Sequence, residues 1–227
     1  MTIKNFGKVS LIAMAIALAG CATQAPPEHS GFLGDYSQLQ ETKDADGNPV
    51  SRAINPSFNP KNYSAVMVDP VIFYPEPQPT TDMSQASLDN LRSYLNQSLH
   101  TELAKVVRVV NQAGPGVLRL RVAITSLTTG EAGLKAYQYI PIAFLVSAGR
   151  NAVEGKPEES KLFVEIELSD SVTGQRMMSA VRSGTGEQFR PKSDKNGQMS
   201  VVDSLKPMID KWMKGAVADA PKFVQGR

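Results

Sequence analysis

Val117 to Leu127 reads VLRLRVAITSL. Leu118, Leu120, Val122 and Ile124 alternate with Arg119, Arg121, Ala123 and Thr125, the period-two pattern of a strand buried on one face. Leu162 to Leu168 (LFVEIEL) repeats it, with Leu162, Val164, Ile166 and Leu168 on one side and Glu165 and Glu167 on the other. The two stretches predict a sheet with one apolar and one charged face. If they are neighbours, Arg119, Arg121, Glu165 and Glu167 form a cross-strand ladder of roughly 0.2–1 kcal/mol per solvated pair. That face reads first as a solvated surface and second as a charged recognition surface.

The flanking sequence supplies the rest of the layer. Tyr63 to Val68 (YSAVMV) is apolar on both faces, as a central strand is, and stops at Asp69-Pro70. After a Pro-rich loop, residues 82–105 read as a helix, with Leu88, Leu91, Leu95, Leu99 and Leu103 on one stripe and Asp82 and Gln85 as a capping box. Val106 to Val110 is a short β-branched run, and the NQAGPG that follows is a turn. Thr173-Gly174 is a hairpin turn leading to a return strand over 175–187, ambiguous in facing at Met177-Met178. A last helix over about 200–218 aligns Val202, Leu205, Ile209, Trp212 and Ala216; Pro207 bends it or sets its start. The expected fold is α+β: a mixed, mostly antiparallel sheet of about five strands with two main helices packed on one face. The first strand-helix-strand unit favours a parallel crossover. One domain spans 61–220, followed by a tail at 221–227. Residues 31–60 read as an irregular arm held by Phe32, Leu33, Tyr36 and Leu39.

The N-terminus is a targeting signal. Lys4 and Lys8 precede the apolar run Val9 to Ala19, which ends in Leu-Ala-Gly-Cys at Cys21. The run rises only about 17 Å as a helix, against roughly 30 Å of hydrocarbon, so residues 1–20 are a signal peptide rather than a span. Leu-Ala-Gly-Cys resembles the lipobox of bacterial lipoproteins. That resemblance implies diacylglyceryl transfer to the Cys21 thiol, cleavage before it and acylation of the new amine. The alternative is an ordinary signal peptide with a bare thiol; a lone cysteine has no partner for an internal disulfide. One myristoyl chain binds membranes with K of about 10⁴ M⁻¹ and each further CH₂ adds roughly 0.8 kcal/mol, so two or three chains hold permanently. In enterobacteria-like sorting, Asp after the cysteine retains a lipoprotein at the inner membrane. Ala22 instead implies the outer membrane, periplasmic face. Residues 21–30 are then the lipidated cysteine and a flexible tether.

Lys4 and Lys8 leave with the leader, so 22 of the 24 basic residues face 22 acidic ones in the mature chain. That balance gives no basic face for nucleic acid. The sequence has no Gly-x-Ser-x-Gly, Ser-x-x-Lys or His-Glu-x-x-His, and its two histidines are His29 in the tether and His100 on the first helix. Asp44-Ala45-Asp46-Gly47-Asn48 loosely matches a calcium loop, but Pro49 stands where the loop needs glycine, so a polar turn is expected. No cofactor, metal or enzymatic activity is expected. Tyr137 to Gly149 (YQYIPIAFLVSAG) is apolar but too short to span. It reads as a buried connection, as a partner or oligomer surface through Tyr139, Ile140 and Phe144, or as a membrane-inserting segment of a ring-shaped pore.

Ser30 to Leu39 (SGFLGDYSQL), just after the lipobox, resembles the opening of an uncharacterised proteobacterial lipoprotein family, domain-of-unknown-function family 3313. The order of elements through to the Trp212 helix fits that family, which implies no established activity. The layout is also similar to small periplasmic domains of outer-membrane lipoproteins that activate peptidoglycan synthases or build curli secretion pores. The expected function is a lipid-anchored, non-enzymatic module at the outer membrane. Its partners would be the membrane, through Cys21, and an unidentified envelope protein. The rivals are a subunit of an oligomeric export or pore assembly, forming a homo-oligomer, and an enzyme with an unfamiliar site.

Overall fold

The computed structural model describes residues 29–45, 47–79, 83–131, 157–189 and 197–225. In chain order the strands are β1 (Gln40–Lys43), β2 (Pro49–Ile54), β3 (Ala65–Val68), β4 (Ile72–Phe73), β5 (Val109–Val110), β6 (Val117–Glu131), β7 (Glu158–Asp170) and β8 (Arg176–Thr185). Helix α1 (Gln85–Leu103) precedes β5, and α2 (Gly197–Asp219) follows β8. The strands form one sheet in the order β1-β2-β8-β7-β6-β3-β5, with β4 paired to β6 off that path. From β1 to β6 the neighbours are antiparallel. The pairings of β3 with β5 and β6, and of β4 with β6, are parallel.

The fold is α+β as expected, but the sheet has eight strands rather than about five. The additional ones are β1, β2 and β4. Two of them lie in the arm at 31–60, which is therefore not irregular throughout. The four residues of β1 are all exposed and β2 buries only Val50, so neither carries an alternating apolar signal. Pairing holds them: β2 lies along β8, Ser51 to Ile54 opposite Val181 to Met178, and β1 lies along β2.

Both helices cover one face. Leu88, Leu91, Leu95, Leu99 and Leu103 of α1 join Val202, Leu205, Ile209 and Trp212 of α2 over Leu118, Leu120, Val122 and Ile124 of β6 and Leu162, Val164 and Leu168 of β7. The cap of α1 is Ser84, whose Oγ accepts from the Ser87 N–H at 3.2 Å. The expected box with Asp82 is replaced, and Asp82 lies outside the described residues. Pro207 sits inside α2 with the helix already running from Gly197, so it does not set the start. Its ring is exposed, which leaves the backbone carbonyl it orphans within reach of water.

Two glycines let α2 approach β8. A Cβ on Gly184 would stand 2.4 Å from Met208 Sδ, and one on Gly186 would stand 2.7 Å from the Ser204 carbonyl oxygen. The facing at Met177-Met178 is settled by a bulge: Leu168 pairs with Met178 while Ser169 pairs with Arg176, so Met177 is the extra residue. Both methionines reach the core.

Candidate functional site

The sheet face opposite the helices is roofed by the arm. Phe32 and Leu33 are buried against Ala123 and Val181, with Tyr36 and Leu39 packed beside them. The Tyr36 hydroxyl accepts from the Gly31 N–H at 2.9 Å and the Leu33 N–H at 3.2 Å, and donates to Glu165 Oε2 at 2.7 Å. Two acceptances and one donation use its full capacity. The His29 ring stacks on Tyr36 at 4.0 Å. Burial raises the Tyr36 pKa above its ordinary value, and the Glu165 carboxylate adds to this, so the phenol stays a donor.

This roof changes the expected ladder of four charges. In register, Arg121 faces Glu167, but Arg119 faces Ser169 and Glu165 faces Ala123. Arg121 Nη1 meets Glu167 Oε1 at 3.0 Å, and Arg176 Nε takes Oε2 of the same carboxylate at 3.0 Å. Arg176 also donates to the Leu33 carbonyl, and Arg121 lies over the Phe32 ring at 4.8 Å. Arg119 turns to Asp69 in a forked pair at 2.9 and 2.6 Å. Glu165 and Glu167 are only 2% and 8% exposed, because Phe32 and Leu33 need a surface to bury against. Only Arg119 and Arg121 of the four keep substantial solvent contact, at 46% and 37%. Tyr139, Ile140, Phe144, Cys21 and Ala22 lie outside the described residues.

A second charged group lies on the helix side. Arg52 of β2 pairs across to Ala180 of β8, and Arg182 stands two residues along on the same face. Arg182 pairs with Asp44, from the turn between β1 and β2. Arg52 Nη2 meets Asp219 Oδ2 at 2.9 Å at the end of α2, and Lys222 Nζ meets Oδ1 at 2.7 Å. The Trp212 ring lies 5.0 Å from Arg182 and the Phe223 ring 5.8 Å from Arg52. Arg182, Asp44 and Asp219 are buried, and Nε of both arginines is buried with no hydrogen-bond partner among the described residues. Behind them is a cavity of about 150 Å³, lined by Leu95, Leu99, Val122, Val164, Ala180 and Trp212 among others.

The two carboxyls titrate low. Burial alone would raise the Asp44 pKa, but hydrogen bonds from Asn48 and the Arg182 guanidinium outweigh it and hold it below 3.8. At Asp219 burial is likewise outweighed, here by Lys222 and Arg52. Burial pulls the Arg182 pKa down despite Asp44. The Asp44 segment is a hairpin turn. The Asn48 N–H donates to Asp44 Oδ1 at 2.8 Å, and Gly47 supplies a φ of +79°. Asp46 lies outside the described residues, among which no cluster of three or more His, Cys, Asp or Glu is placed to hold a metal.

Sequence reading did not find Arg52, Arg182 or Asp219. The available signal was Arg182 itself, a cation in step with Met178 and Ala180. It had no force while the facing of that strand was open and Arg52 lay in a supposed irregular arm.

Residues 28–216 match the family described as "protein of unknown function (DUF3313)". The chain belongs to this family. This DUF3313 chain is 34% identical over 212 residues to the uncharacterized lipoprotein YdcL of Escherichia coli K12, covering 92% of this chain and 94% of that one. It is a lipoprotein, and so membrane-anchored through acyl chains. Among solved structures it is similar to the hypothetical protein CT253 of Chlamydia trachomatis, with a TM-score of 0.42 at 10% identity over 69% of this chain and 96% of that one. It is also similar to a putative lipoprotein of Caulobacter crescentus, with a TM-score of 0.37 at 13% identity over 60% and 85%. Among the described residues of the DUF3313 chain, no helix is long and apolar enough to cross a membrane.

Proposed function

We propose that this DUF3313 lipoprotein is a non-enzymatic module, held by acyl chains on Cys21 at the periplasmic face of the outer membrane, that acts by contact with another envelope protein in upkeep or assembly of the envelope. The carrying observation is the clasp at Ser30 to Leu39. The chain is already fastened to the sheet at Tyr36 and Leu33, and His29 stacks on Tyr36, so the leash is the stretch of sequence between Cys21 and His29. Eight steps from residue to residue reach at most about 29 Å. A body on so short a leash meets partners that are themselves in or against the membrane. Ala22, rather than Asp, supports the outer membrane as the destination.

Crosslinking of the full lipidated chain in cells tests this reading. It should trap a discrete envelope protein, and Cys21→Ser should abolish the capture. In the same cells, Ala22→Asp should move the protein from outer- to inner-membrane fractions. A chain that crosslinks to no envelope protein, or whose partner is captured equally by the Cys21→Ser form, would refute the contact reading. An Ala22→Asp protein that stays in its original fraction would refute the sorting.

A further inference from the structure

We propose that the cavity behind Arg52 and Arg182 binds a small monocarboxylate with a short alkyl tail, its carboxylate on the two guanidinium groups and its tail among the leucines. Two observations converge. Each arginine gives its carboxylate partner an Nη2 donor, while Nε of each stays buried and without a hydrogen-bond partner among the described residues. The Nη–H beside each Nε–H belongs to Nη2, which already serves an aspartate, so an added carboxylate spans the two arginines with one oxygen on each Nε–H. A pair serving structure alone gains nothing from orphan donors, since a buried unmade hydrogen bond is a loss. The guanidinium planes themselves are held by the rings of Trp212 and Phe223.

The cavity supplies the other half. Its lining is aliphatic from Leu95, Leu99, Val122 and Val164, and its 150 Å³ matches an apolar cavity that takes up a ring of about six carbons. The tail is therefore short. The charged residues that line the cavity, Arg52 and Arg182 against Asp44 and Asp219, balance, so the head is selected by the unmade N–H donors rather than by net charge. Asp44 sits on a hairpin turn at the sheet edge and Asp219 at a helix end, so the mouth is bounded by elements that can shift without disturbing the centre of the sheet.

Trp212 is the sole tryptophan and lines the cavity, so its emission reports on the site. The full lipidated chain in phosphatidylcholine liposomes is titrated with octanoate, octanol and acetate. Octanoate should give a saturable change in Trp212 emission, with octanol and acetate at least tenfold weaker. Arg52→Gln should weaken octanoate at least tenfold. Ala180→Leu, which fills the cavity from the strand and keeps both arginines, should abolish saturation. Octanol matching octanoate, a response that does not saturate, or saturation unchanged in Ala180→Leu would each overturn the proposal. The contact reading above does not depend on this result.

Discussion

The Tyr36 hydroxyl ties the arm to the sheet at Glu165. Tyr36→Phe keeps the ring stacked on His29 but removes the donor to Glu165 and the acceptor for two backbone N–H groups. A buried carboxylate losing such a partner costs about 1–3 kcal/mol. Urea unfolding of Tyr36→Phe should show that loss, and amide exchange at Gly31 and Leu33 should speed up. A second residue-scale expectation concerns acid. Asp44 and Asp219 have folded pKa values below the ordinary 3.8. A group depressed in the folded state stabilises fully above its unfolded pKa and ceases to as pH falls through the folded value. Stability should therefore drop as the pH goes below about 4, and Asp44→Asn should flatten that drop when melting temperature is followed against pH. The contact residues of the arm were legible because Phe32, Leu33, Tyr36 and Leu39 stand out in a polar stretch. The burial of Glu165 was not, since its partner is 129 positions away and alternation alone assigns that position to solvent.

At the scale of elements, legibility followed length and periodicity. The leucine stripe of α1 and the alternation of β6 and β7 run over enough residues to fix their period. β4 has two residues and β1 has no buried one, so only pairing defines them. The seating of α2 on β8 was equally hidden, because it depends on what glycines leave out. Gly186→Ala would place its Cβ against the Ser204 carbonyl, a backbone atom that cannot rotate away. Overpacking of this kind costs about 1–3 kcal/mol, and denaturant unfolding of Gly186→Ala should register it. Leu95→Ala, at a buried position of α1, should lose about 2–5 kcal/mol in the same assay.

Across the whole molecule, the chain begins and ends its sheet on the same side. The hairpin of β1 and β2 forms early in sequence, yet its partner β8 arrives more than a hundred residues later. Contacts of such separation are slow to form, so the hairpin is expected to dock after β6, β7 and β8 have assembled. It should also open first. Its outer strand is exposed along its length, with Glu41 and Lys43 marking an edge kept unattractive to other strands. Native-state hydrogen exchange should find β1 and β2 amides opening at lower free energy than those of β6 and β7. Uniform protection across the sheet would contradict this order.

The knot at Tyr36 also has a mechanical meaning. Tension along the tether, whenever the bilayer and a bound neighbour move apart, arrives first at the hydroxyl that grips Gly31, Leu33 and Glu165. Two of those bonds close the arm on itself and the third reaches β7, so the pull passes to the middle of the sheet rather than to the weak edge at β1. The arm works as strain relief on a cable: the joint that yields first lies outside the hydrophobic core, and it can re-form once the tug has passed.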